Sequence, residues 1–142
     1  MGKRRDWLLS HRDYFIEFLR VYLGGVLIYK GVFFLRDIEH LLGMIQLANE
    51  PYINLALAHY IVFTHLIGGF FLMLGFLTRV VIATQIPILM GAVFVVHIQE
   101  GEFGDNSSLE FAMMVLLMLV VFLVYGSGRL SVDHYLETSR PT

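Results

Sequence analysis

Polar and apolar positions fall into long blocks along this chain rather than short alternations. The stretch from His65 to His97 sets the pattern. Leu66 to Leu77 and Val80 to Val96 carry no ionisable side chain, and Thr78-Arg79 sits between them. Two such runs on either side of so short a break predict two membrane helices joined by a tight turn. In a bilayer the backbone must satisfy its own hydrogen bonds, so spanning segments become helices.

The same reading extends both ways. Val21 to Leu35 is apolar except for Lys30 and predicts a first span over 20–36. At 1.5 Å per residue that covers roughly 24 Å. A hydrocarbon core is about 30 Å thick, so Arg20 and Arg36 are expected to snorkel. Before it, 6–20 mixes Trp7, Leu8, Leu9, Tyr14 and Phe15 with His11, Arg12, Asp13 and Glu17. That segment is expected to lie among headgroups and then bend inward. Ile38, Leu41, Leu42 and Ile45 share one face of 37–50, with acids opposite, which predicts an amphipathic surface helix stopped at Asn49-Glu50-Pro51. A second span is expected over 56–77 and a third over 80–97, with Pro87 tolerated inside it. After a polar loop over 99–108 comes a fourth span, 109–125, ended by Gly126-Ser127-Gly128. The predicted fold is all-α: one domain over 1–142, an integral membrane four-helix up-and-down bundle, with an extra amphipathic interfacial helix after the first span.

Composition agrees with a lipid environment. The chain has 142 residues, 57% of them hydrophobic and 15% charged, against about 25% charged in soluble domains. Its mean hydropathy is +0.70. A net charge of -2 gives no basic field for nucleic acid, and the lack of cysteine excludes disulfides and thiolate metal sites. No small-residue cleavage site follows Lys3-Arg4-Arg5, so a removed signal peptide is not expected, and Asp6 breaks a myristoylation motif. Cation placement predicts orientation. With both termini cytoplasmic, the inner side carries Lys3, Arg4, Arg5, Arg12, Arg20, Arg79, Arg129 and Arg140, while the outer side carries Arg36 alone. The expected location is a bacterial inner membrane.

Depth sorts the remaining polar groups. Counting ~1.5 Å per residue from the span midpoints, Lys30 and His65 lie about 2 to 3 Å outside the midplane. His59, His97 and Glu110 form a second layer roughly 10 to 13 Å out, and Gln85 falls about 5 Å on the inner side. A mid-bilayer ammonium costs on the order of 2.5 to 3.5 kcal/mol on insertion scales, which makes Lys30 the sharpest signal. Two readings compete: a side chain stretched toward Asp37, or a charge turned inward to pair with Glu110 and line an outward-facing pocket. The second is favoured because partners lie at matching depth. Gly68 and Gly69 follow His65 on its helix face, and Gly24 and Gly31 form a matching stripe on the first span. These glycines either let helices approach closely or open room for a flat, quinone-like ligand. The histidines show no HxxxH, HExxH or CxxC spacing, so no metal or haem is expected. No base-plus-acid constellation accompanies Ser107, Ser108 or Thr64, which leaves enzymatic activity undecided.

These residues resemble the DoxX family of small four-helix bacterial membrane proteins. The likeness runs through Arg20 and Gly24, Lys30-Gly31, Gly68-Gly69 with Gly75, and Thr78-Arg79. It continues through Gln85-Ile86-Pro87, Gly91-Ala92-Val93 and the stretch from Gly126 to Asp133. The order of these motifs is similar to a branch found in the Bacteroidetes. Many members carry an acid where this chain has His65. The resemblance implies a link to membrane redox systems: quinone reduction in one archaeal complex, oxidative and thiol stress in a mycobacterial one.

The expected function is therefore an integral membrane subunit of a quinone-linked or stress-related redox complex. Lys30, His65, Gly68, Gly69 and Glu110 are its pocket candidates, and His59 and His97 form a secondary polar layer. Arg79, Arg129 and Asp133 are expected to fix the cytoplasmic end. The expected partners are lipid, further membrane or soluble redox subunits, and a second copy of the chain. The rival reading is a non-catalytic scaffold that recruits a soluble protein through 37–50 or the tail.

Overall fold

A computed structural model describes the backbone of residues 2–45, 49–100 and 107–139, and side chains within 11–12, 14–45, 49–95 and 109–139. It is all-helical over these residues: α1 (Gly2–Arg36), α2 (Ile38–Ile45), α3 (Pro51–Leu74), α4 (Thr78–Glu100), α5 (Ser107–Tyr125) and α6 (Val132–Thr138). Helices α1, α3, α4 and α5 form an up-and-down bundle, with α2 as the added amphipathic helix. Tyr14–Arg36, Pro51–Leu74 and Thr78–Val95 are long and apolar enough to cross a membrane, and the apolar run of α5, Leu109–Tyr125, is shorter.

Helix α1 packs most extensively on α3, α3 joins α4, and α4 packs on α5. Leu23 and Leu27 from α1, Leu72 from α3, Ile82 from α4 and Leu119 from α5 meet in the fully buried core. A second cluster forms where α2 folds over α3, through Leu41, Ile45, Ala58 and Val62. Asp37, between α1 and α2, caps α2 by accepting the His40 N–H at 3.1 Å.

The crossing of α1 and α3 depends on two glycines. A Cβ at Gly24 would stand 2.6 Å from the Gly69 carbonyl oxygen, and one at Gly69 would stand 2.7 Å from the Gly24 carbonyl oxygen. Only hydrogen fits on either side, so the backbones touch there.

Helix α1 departs from the expected bend near Arg20. It runs unbroken for 35 residues, about 52 Å. Neither arginine-led snorkelling nor a turn is needed at that point, because Arg20 is 3% exposed and Glu17, three residues earlier, is 8% exposed. Both turn into the bundle, where Leu130 and Ser127 from the far end of the chain bond to them.

The α3–α4 turn shows why the chain reverses where it does. Gly75 takes the left-handed conformation, with φ 69°. Its N–H reaches the Leu72 carbonyl, the Phe76 N–H reaches that of Phe71 at 2.9 Å, and the Phe71 and Phe76 rings meet edge-on at 5.4 Å. This is a Schellman stop with its hydrophobic contact. We call this end of the bundle basal. It is the end that the cation pattern expects in the cytoplasm.

Candidate functional site

At the basal end, α1, the α3–α4 turn and the segment after α5 lock together. Glu17 and Arg20 form an ion pair at 2.5 Å. Glu17 Oε1 accepts the Leu130 N–H at 2.7 Å, and Arg20 donates to the Ser127 carbonyl. Asp133 accepts the N–H groups of Leu77 at 2.7 Å and Thr78 at 2.9 Å. A carboxylate at the first turn of α4 also suits the positive end of that helix. Asp133 returns its own N–H to the Gly75 carbonyl at 3.0 Å. Gly128, at φ 82°, leaves room for Glu17: a Cβ there would lie 2.5 Å from Oε1.

Of the three residues expected to fix this end, Asp133 makes the tie to the turn. Arg79 is exposed and passes beside Gly126, and Arg129 is exposed with contacts of its own. The residues that sequence reasoning missed are Glu17 and Arg20. Their signal was the acid–arginine spacing of three on a helix, which reads equally as a solvated interfacial pair.

The deep candidates lie in the distal half and do not gather into one pocket. Lys30 is six residues, about 9 Å, from the outer end of α1. Its Nζ lies 5.1 Å from the Phe111 ring centroid and 5.8 Å from that of Phe33. Among the described residues it meets no carboxylate. Asp37 is occupied in capping α2, and Glu110 is exposed. The expected Lys30–Glu110 pairing is thus replaced by cation–π contact with the neighbour of Glu110.

His65 is 4% exposed. Its Nδ1 lies 2.9 Å from the Ile61 carbonyl, and its ring meets Phe34 edge-on at 5.8 Å. The glycines beside it leave no room for a flat ligand. Gly69 faces α1 through Gly24, and a Cβ at Gly68 would stand 3.1 Å from Gln85 Nε2. That Gln85 amide, fully buried, donates to the Thr64 carbonyl at 2.7 Å. Its oxygen, like Thr78 Oγ1, is buried without a partner. Gly31, too, is closed off, by Leu66 and the Cβ of His65. Close helix contact is the reading that the geometry supports for the whole small-residue set.

In the secondary layer, His59 Nδ1 lies 2.9 Å from the Leu55 carbonyl on an exposed face. The His97 side chain lies outside the described residues. Among those described, no three His, Asp or Glu side chains gather as metal ligands.

A cleft of about 1070 Å³ opens at the basal end, between α1, the start of α4, the end of α5 and the segment after it. Phe15, Leu19, Val80, Leu117 and Val121 supply apolar wall, and Arg12, Arg79, Arg129 and His134 stand around it with Asp133 and Glu137. Nothing in the apolar pattern of the sequence signalled it, since each wall residue reads as lipid-facing.

No curated protein and no solved structure matches the chain. The family model of DoxX matches residues 15–98, from the basal half of α1 through most of α4. The stretch from Gly126 to Asp133 lies outside that match. Four packed apolar helices, and a family match over more than half of the sequence, place this membrane protein in the DoxX family.

Proposed function

We propose that the protein is an integral subunit of a quinone-linked or oxidative- and thiol-stress redox complex, and that Lys30 faces the quinone. The observation that carries this reading is an ammonium within the bilayer held by two aromatic rings rather than by a carboxylate. Phe33 and Phe111 are 45% and 37% exposed, so the group is open from the side. A quinone entering laterally from lipid would stack on Phe111 and accept a hydrogen bond from Nζ. The protein supplies binding and position, and a partner subunit supplies the electrons. The proposed site lies on the surface where Lys30 of α1 meets Phe111 of α5, rather than around His65 and the glycines.

The test is extraction of quinone from protein purified in native lipids. Wild type should retain it, and Lys30→Met should fold equally well and lose it. Absence of quinone from both, in protein that still captures a soluble partner, favours the scaffold reading. The exposed Leu130, Tyr135 and Leu136 around α6 support that rival.

Both termini are assigned to the cytoplasmic side of a bacterial inner membrane, on the strength of the cation count. A reporter fused after Thr142 should be cytoplasmic and one inserted near Asp105 external. The reverse pattern would overturn the orientation.

A further inference from the structure

We propose that the basal cleft is a binding site for an anionic phospholipid, with its phosphate at Arg79 and an acyl chain against α5. The inference stands apart from the quinone reading, which concerns the other half of the bundle.

Three observations lead to it. The first is size. At about 1070 Å³ the cleft reaches the upper end of the range that takes drug-sized ligands. A bare inorganic anion would leave most of it empty. The second is the division of its surface. Leu117, Val121 and Tyr125 rise along one side of α5, a climb of about 12 Å. Phe15 and Leu19 of α1 face the same space. Such walls suit a hydrocarbon chain.

The third is charge. Arg12, Arg79 and Arg129 stand around the cleft against two carboxylates, and one of those, Asp133, is engaged by the Leu77 and Thr78 N–H groups. Glu137 is the other. Arg79 is exposed, and no carboxylate pairs with it among the described residues. It sits in the second position of α4 and lines the cleft directly. An apolar slot whose mouth is cationic, at the end of a membrane bundle, is complementary to a lipid with a negative headgroup. A zwitterionic lipid would bring its own cation into the same mouth.

The full-length protein, stripped of lipid in detergent, should be titrated with phosphatidylglycerol and separately with phosphatidylcholine, with adducts counted by native mass spectrometry. Phosphatidylglycerol should bind more tightly by about fivefold for each arginine it engages. Arg79→Gln should lower its affinity by about fivefold and that of phosphatidylcholine by less, because the choline cation already offsets the phosphate, so the preference narrows. Val121→Trp, which fills the apolar wall, should weaken both lipids while the helical circular dichroism stays that of wild type. Inorganic phosphate at millimolar concentration should not displace the lipid. Equal binding of the two lipids by wild type, or an Arg79→Gln protein whose preference for phosphatidylglycerol is undiminished, would overturn the proposal. So would full displacement by inorganic phosphate, which would mark a plain anion site.

Discussion

The Asp133 carboxylate accepts the backbone N–H of Leu77 at 2.7 Å, across 56 positions of sequence. Leu77 is the one described non-glycine residue with positive φ, at 48°. A left-handed leucine costs about 1 to 2 kcal/mol. The charged acceptor offsets that cost and holds the turn in the shape that starts α4.

Asp133→Ala should therefore lower stability by about 2 to 4 kcal/mol, since two backbone donors lose a charged acceptor. Leu77→Gly should change it by less than about 1 kcal/mol, because relief of strain and added chain entropy oppose each other. Thermal unfolding in detergent reads both. An Asp133→Ala protein as stable as wild type would show that the turn holds itself.

The Glu17–Arg20 pair predicts an asymmetry. Glu17→Leu alone leaves a buried guanidinium without its countercharge and should cost about 3 to 5 kcal/mol. Adding Arg20→Met should recover part of the loss. Recovery stays incomplete because the Leu130 N–H no longer has its acceptor. A double-mutant cycle measures the coupling, and additive losses would mean that the two charges do not communicate.

Glycine substitutions should divide by location. Gly24→Ala and Gly69→Ala force apart touching backbones and should cost about 1 to 3 kcal/mol each. Gly25→Ala and Gly91→Ala meet nothing within 4 Å. Each should be neutral or stabilise by up to about 1 kcal/mol, as expected for alanine in a helix. Equal effects at Gly24 and Gly25 would contradict the α1–α3 crossing.

Purified protein should carry no stoichiometric transition metal and no Soret band. The His59 and His65 rings each lie against a carbonyl of their own helix. A metal lost on mutating His59 or His97 would reverse this expectation.

The spanning helices were legible because a bilayer leaves an apolar run few options. The Thr78-Arg79 break marked the reversal for the same reason, whereas the Gly75 stop, which ends α3 at Leu74 rather than at residue 77, was not read from the sequence. Burial of charge was not legible. Glu17 and Arg20 carry the same letters whether they sit among headgroups or inside a bundle. Their partners, Leu130 and Ser127, lie 113 and 107 residues away. The glycines of α3 were legible only as small. Whether smallness admits a ligand or a neighbouring helix depends on what stands opposite, and Gln85 and Gly24 decided that. For Lys30, the choice between a carboxylate and a ring turned on one position, Glu110 or Phe111.

The basal lock also sets an order of assembly. Ribosomes make α1, α3 and α4 before residues 127–133 exist, so Arg20, Glu17 and the Leu77 and Thr78 N–H groups are inserted ahead of their partners. Until the segment after α5 emerges, the nascent bundle holds an incompletely satisfied acid–arginine pair and an unbraced turn. Closure of its base is thus a late event in biogenesis. A nascent chain stalled before Gly126 would present all four bundle helices to the insertion machinery with that base still open.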